Sequence, residues 1–443
     1  MTESVSEITA RHTYGTWRAQ KGWKPIHVTK AEGVYFWDAA GKRYLDFSSQ
    51  LICSNLGHQN QAVIDAIAAQ AQKLAFIAPA HTCDARADLA TKLLEIMPKG
   101  LDKFFFTTSG TEANEAAIRM ARLYTGKHKI LARYTSYHGS TAGSIAATGD
   151  LRRWFVEPSG KIDGVVHGPE VNCYRCPLGH TYPSCNVACA DYMAYQIDHD
   201  ENVAAVIVEP IVGTNGVLVP PTEYLPKLAE ICKKRKVLLI VDEVMTGWGR
   251  TGKWFAVEHY GVTPDILCTA KGVTNAMVPL GVTATSRAIA DYFDDNYFPL
   301  GHTYEAHPMT LAPAIAAIDE YRRLDLLNQS TRRGEYLGTK LRALAAKHPS
   351  IGEVRGLGLF WAIDLVKNRT TKEPLNTPKE KSLRQPLVVD AIAAECLKNG
   401  VSLMSWVSHL VLAPPLIVTE AQIDDALAVI DAALALADAK VTN

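Results

Sequence analysis

Residues 236–244 read KVLLIVDEV: five unbroken apolar side chains, Val237 to Val241, run straight into the carboxylates of Asp242 and Glu243. A strand with one wet face alternates apolar with polar, so a run without alternation needs cover on both faces. The same look recurs in DKFFFTT (102–108), HKILAR (128–133), VAAVIVEP (203–210) and DILCTAKG (265–272). Stretches with apolar residues three and four apart, such as QAVIDAIAAQAQKL (61–74) and EYLPKLAEICKKRK (223–236), alternate with these runs. The expected fold class is therefore α/β, a mainly parallel sheet sandwiched by helices.

The flanks read differently. GVYFWDAAGKRYLDFSS (33–49) holds two short alternating runs around Ala39-Ala40-Gly41, the pattern of a hairpin. Beyond residue 305 come helical stretches (314–327 and 335–348), strand-like LGLFWAIDLV (357–366) and HLVLAPPLIVT (409–419), and a closing amphipathic helix over 420–439. We expect a large domain over 62–304 and a smaller α+β domain built from 1–61 and 305–443. Lys plus Arg and Asp plus Glu both total 46 in 443 residues, which leaves no electrostatic footprint for nucleic acid or an anionic membrane and favours small-molecule partners. The polar start MTESVSEITA, the lack of an apolar run of membrane length and nine scattered cysteines read as a cytosolic protein with reduced thiols.

Ligands of open parallel sheets bind beyond the carboxyl ends of the strands. Three successive runs end in a polar residue there: Glu209, Asp242 with Glu243, and Lys271. Each alone reads equally as a strand end meeting water. In FFFTTSGTEANEAAIRMARLY (104–124), a strand passes through Ser109-Gly110-Thr111 into a helix with Ser109 and Glu112 at capping-box spacing. The free N–H groups of such a helix start hold phosphate. A phosphate seat, a carboxylate and a lysine on one rim suit pyridoxal phosphate: the lysine forms a Schiff base with the aldehyde, the carboxylate keeps the ring nitrogen protonated, and the helix start anchors the phosphate.

SGTEANEAAIRMAR (109–122), SYHGST (136–141), VIVEPI (206–211), VDEVMTGWGRTG (241–252), TAKG (269–272) and GHTYEAHP (301–308) resemble, in order, signature segments of the class III, omega-type aminotransferases of fold type I. The resemblance implies Lys271 as the Schiff-base lysine and Asp242 as the partner of the ring nitrogen. Ser109, Gly110 and Thr111 match the phosphate turn, Tyr137 and Val244 the residues on the two ring faces, and Thr303 a threonine that reaches the phosphate of a neighbouring subunit. A homodimer at least, or two such dimers in a tetramer, follows from that resemblance. Glu209 matches an acidic position near the substrate side of the ring, although a strand-end carboxylate held by local N–H groups fits it as well. His138 reads as a packing residue, and Arg250 and Gly252 as part of a structural turn.

The reaction implied is transfer of an amino group to a keto acid, pyruvate or 2-oxoglutarate, with ping-pong kinetics. Met245 stands where 4-aminobutyrate and ornithine-type relatives have Gln, and the pattern resembles enzymes for taurine, beta-alanine or similar terminal amines. Acid-bearing substrates need a cation, for which Arg152 and Arg153 in TGDLRRW (148–154) are candidates. Trp17 and Trp23 are candidates for the substrate mouth. Cys173, Cys176, Cys185 and Cys189 have spacing that a structural zinc would accept, but no metal is expected and free thiols are the reading adopted. Alternatives are a phospho-lyase, an aminomutase or a decarboxylating transaminase of the same chemistry, or a noncatalytic zinc-binding or interaction protein on the same scaffold.

Overall fold

A computed structural model describes residues 3–160 and 163–442. Residues 1, 2 and 443 of the expected smaller domain, and 161 and 162 of the larger, lie outside the described residues.

Three sheets carry the described residues. The N-terminal one holds β1 (Val28–Glu32), β2 (Tyr35–Asp38) and β3 (Arg43–Asp46); the central one holds β4 (Leu101–Thr107), β5 (Lys129–Arg133), β6 (Val165–Gly168), β7 (Val203–Val208), β8 (Leu238–Asp242), β9 (Ile266–Thr269) and β10 (Gly281–Ser286). The C-terminal one holds β11 (Ile351–Leu357), β12 (Phe360–Asn368), the short β13 (Glu373–Pro374), β15 (Met404–Trp406) and β16 (His409–Leu412). Between them β14 (Val401–Ser402) pairs in parallel with β3, so the two ends of the chain share the first sheet. The helices that matter here are α1 (Gln61–Lys73), α2 (Asp84–Ile96), α3 (Gly110–Thr125), α4 (Leu151–Val156), α5 (Tyr224–Arg235), α6 (Pro308–Arg323), α7 (Leu326–Lys347) and α8 (Glu420–Asp438).

The central order is β4-β10-β9-β8-β7-β5-β6, parallel except for β10. Every residue of β7 is fully buried, as its unbroken apolar run requires. Registers Val206 to Leu239 and Val241 to Leu267 bring the carboxyl ends of β7, β8 and β9 level. Strand β10 has no counterpart in the sequence reading. It begins at Gly281, where a Cβ would stand 2.3 Å from the Ser109 carbonyl oxygen and 2.4 Å from Thr107 Oγ1, so glycine alone lets this strand lie against the turn that opens α3. The hairpin expected around Ala39-Ala40-Gly41 is β2–β3. Helix α6 packs on α1 and α2.

Buried Arg250 ties the separate segments together. Its guanidinium donates to the Leu359 and Pro414 carbonyls at 2.9 and 2.6 Å, to Ser49 Oγ at 3.1 Å and to Asn55 Oδ1 at 2.6 Å. These four acceptors offset part of the cost of burying the charge, which still pulls the pKa down to about 10. Among the described residues no helix is long and apolar enough to cross a membrane.

Candidate active site

The carboxyl ends of β4, β8 and β9 and the loops after β5 and β7 surround one cavity of about 460 Å³, lined by Ser109, Gly110, Thr111, Tyr137, Glu209, Asp242, Val244 and Lys271, with Trp17 at its side. Level strand ends do this: each loop leaves the sheet at the same height, so residues 160 positions apart in the chain meet.

Lys271 follows β9 after a single intervening residue, with its backbone at φ +53°, in the left-handed region that non-glycine residues seldom occupy. Burial lowers its pKa below that of an ordinary lysine, and the charge of Arg152 adds to this; Asp242, Cys53 and Glu209 pull the other way. The net shift is toward the neutral amine, the form able to attack a carbonyl carbon and accept a proton.

Asp242 ends β8 and is 4 % exposed. Its Oδ2 lies 2.7 Å from Asn114 Nδ2 and 2.8 Å from His138 Nδ1, while Oδ1 accepts the Val244 N–H at 3.0 Å. Three donors hold the carboxylate in one orientation. His138 is thus a correction to its reading as a packing residue: it is fully buried, but its ring nitrogen orients the aspartate. Asn114 was not anticipated, though a signal existed, since it stands one helical turn after Gly110 and so shares the face of α3 that looks into the cavity. Glu209 also reaches the cavity, and its two oxygens accept the N–H groups of Tyr137 (3.1 Å) and Gly213 (2.8 Å). Burial raises its pKa.

Ser109 caps α3, accepting the Glu112 N–H on its hydroxyl at 3.2 Å. The expected reciprocal arm is displaced by one residue: the Glu112 carboxylate accepts from Thr108 N and Oγ1, both at 2.7 Å, because the strand-to-helix turn presents Thr108 to it. The Ser109 N–H is left clear of that carboxylate. A Cβ at Gly110 would lie 2.8 Å from both γ-carbons of Val244, so the helix start and the expected ring-face residue are in direct contact.

The two arginines part company. Arg152 lies with its guanidinium carbon 3.9 Å from the centre of the Tyr137 ring, beside a neighbouring cavity that shares Trp17, Tyr137 and Ser140 with the first. Arg153 pairs with Glu157 and lines a different cavity with His167. Consecutive helical residues point about 100° apart, so one of the two faces away, and the candidate substrate role of Arg153 is withdrawn. Trp17 meets Tyr137 edge to face at 6.4 Å; Trp23 does not line the cavity. Thr303 is exposed and likewise off its walls. Cys173, Cys176, Cys185 and Cys189 line a separate cavity of about 20 Å³. Among the described residues no group of three or more His, Cys, Asp or Glu is arranged to hold a metal ion.

The residues present fit pyridoxal phosphate. The cavity offers a helix start at Ser109 and Gly110, a buried carboxylate fixed by three donors, an aromatic and an aliphatic side chain, and a buried lysine.

Comparison with known proteins agrees. The sequence model of the family described as Aminotransferase class-III matches residues 18–434. The taurine–pyruvate aminotransferase of Bilophila wadsworthia is 35% identical over 467 aligned positions, covering 99% of both chains. A leucine/methionine racemase of Thermococcus litoralis is also 35% identical, over 93% of this chain and 91% of its own. Among solved structures, the taurine:2-oxoglutarate aminotransferase of Bifidobacterium kashiwanohense, in complex with PLP and glutamate, superposes with a TM-score of 0.93 at 37% identity, covering 100% of each chain.

Proposed function

The chain belongs to the class III aminotransferases, pyridoxal-phosphate-dependent enzymes of fold type I, and from that premise we propose that it moves an amino group from a terminal-amine donor bearing an acid group, of the taurine or beta-alanine kind, to pyruvate or 2-oxoglutarate. The observation that carries the reading is the meeting of Lys271, Asp242 and Tyr137 on one cavity, with the Arg152 guanidinium carbon 3.9 Å from the Tyr137 ring centre.

Lys271 would hold the cofactor's aldehyde carbon, Asp242 its ring nitrogen, and Ser109, Gly110 and Thr111 its phosphate, with Tyr137 and Val244 on the two ring faces. When bound, the cofactor supplies an electron-withdrawing ring and the carbon that receives the amino group. Lys271 Nζ would serve as the base that takes the proton from the donor carbon. Asn114 and His138 keep the Asp242 carboxylate turned toward the ring nitrogen, and its buried charge acts in a low dielectric. Arg152 grips the acid group, and Trp17 borders the entrance. Glu209 braces the backbone at Tyr137.

Exposure of Thr303 on a single chain supports its service to a neighbouring subunit and hence a homodimer. Free thiols at the described cysteines suit a reducing cytosol.

A panel of amine donors assayed against pyruvate and 2-oxoglutarate tests the reading. Taurine or beta-alanine should turn over with one of the two acceptors; turnover confined to donors without an acid group, or product formed with no keto acid present, would overturn it.

A further inference from the structure

Arg152 is held on every side but one. Its Nε lies 3.1 and 2.9 Å from the two Asp150 oxygens, and Nη2 also contacts Oδ2. Asp150 cannot swing away with it, because Oδ1 accepts the Arg152 backbone N–H at 2.9 Å, as the N-cap of α4. The guanidinium carbon sits 3.9 Å from the Tyr137 ring centre and 4.4 Å from that of Trp406, so two aromatic rings pack against the cation. Both charged side chains are nearly out of water, at 10 % and 5 % exposure.

A second tier holds the first. Buried Asn215, in the loop after β7, donates Nδ2 to Asp150 Oδ2 at 3.1 Å and accepts the indole N–H of Trp406 on Oδ1 at 2.7 Å. Trp406 ends β15 of the C-terminal sheet. One tryptophan therefore offers its ring face to the cation and its N–H to the amide that fixes the cation's counter-charge. Asp150 occupies one edge of the planar guanidinium; among the described residues Nη1 donates to no protein acceptor, which leaves the Nη1 and Nη2 edge for an incoming oxyanion.

We infer that Asp150, Asn215 and Trp406 are positioning residues that set Arg152 to receive the carboxylate or sulfonate of both substrates through its Nη1 and Nη2 edge. The inference rests on the reading of Arg152 given under Proposed function. Because Asp150 pairs with Arg152, the guanidinium is already part-compensated before the substrate's acid group arrives, and its free edge rather than bare charge selects the oxyanion.

Neutral substitutions separate positioning from charge. Trp406→Phe keeps a ring over Arg152 and removes only the donor to Asn215; Asn215→Leu removes both of its bonds. Each should raise the KM for beta-alanine and for pyruvate about three- to tenfold, the loss of one or two hydrogen bonds, with kcat changed less than twofold and the KM for butylamine unmoved. Calorimetric titration of the holoenzyme with ethanesulfonate, which has no amine to react, should show the same loss of affinity. Arg152→Leu distinguishes the two levels: if it weakens ethanesulfonate binding while Trp406→Phe and Asn215→Leu do not, the positioning inference fails and Arg152 keeps its role. If Arg152→Leu leaves binding and both KM values intact, the reading beneath it fails as well. Equal loss of kcat for butylamine and beta-alanine in both neutral variants would show a merely structural role and overturn the inference.

Discussion

Asp242→Asn perturbs the site with almost no change in shape, and its cost follows from the three donors around the carboxylate. Oδ2 accepts from Asn114 Nδ2 and lies within bonding distance of His138 Nδ1, and Oδ1 accepts from Val244 N–H. An asparagine has one oxygen. With the oxygen in the Oδ2 place its NH2 faces the Val244 N–H; turned over, it faces Asn114 and His138. Either way at least one buried donor is left against another, at a cost of about 1–3 kcal/mol in stability. Loss of the charge beside the ring nitrogen removes one preorganised electrostatic partner, worth roughly 10²–10³ in kcat, or about 2.7–4 kcal/mol. The assay is steady-state kcat with beta-alanine and pyruvate at saturating pyridoxal phosphate, beside urea unfolding monitored by circular dichroism. A kcat within threefold of the wild type would refute the reasoning, because the buried carboxylate would then contribute no electrostatic stabilisation to the reaction.

Burial raises the pKa of Glu243 to about 7 from an ordinary value of 4.5. The folded state holds a proton that the unfolded chain has released across that window, so stability falls as pH rises through it and levels off above; Glu243→Gln should remove this slope, read as urea midpoints at pH 5 and pH 8. Gly110→Ala should leave the helix intact, since alanine is the better helix former, but its Cβ would push Val244 off the expected ring face and weaken retention of pyridoxal phosphate about tenfold or more, measured by fluorescence titration of the apoenzyme.

Where the chain's own chemistry is local, the sequence was readable. Unbroken apolar runs can be satisfied only by cover on both faces, and β7, β8 and β9 lie where those runs are. Their terminal Glu209, Asp242 and Lys271 meet because parallel neighbours end level. Strand β10 carries no strand pattern, because Gly281-Val282-Thr283-Ala284 has the small, mixed residues of a loop, and its place is set by how closely a glycine lets it approach Ser109. Adjacent Arg152 and Arg153 look equivalent in the sequence, yet helical geometry allows only one of the two to face a given cavity. The link from Asn215 to Trp406 spans 191 positions; it depends on how the C-terminal sheet sits against the loop after β7, and no local pattern records that.

The central claim is that Lys271 is the amine that holds pyridoxal phosphate. Reduction of the holoenzyme with borohydride, followed by proteolysis and mass spectrometry of the peptides, tests it directly. A phosphopyridoxyl group on the peptide containing Lys271, absent when Lys271→Ala is treated in the same way, is the predicted result. The group on another lysine, with Lys271 recovered unmodified, would contradict it.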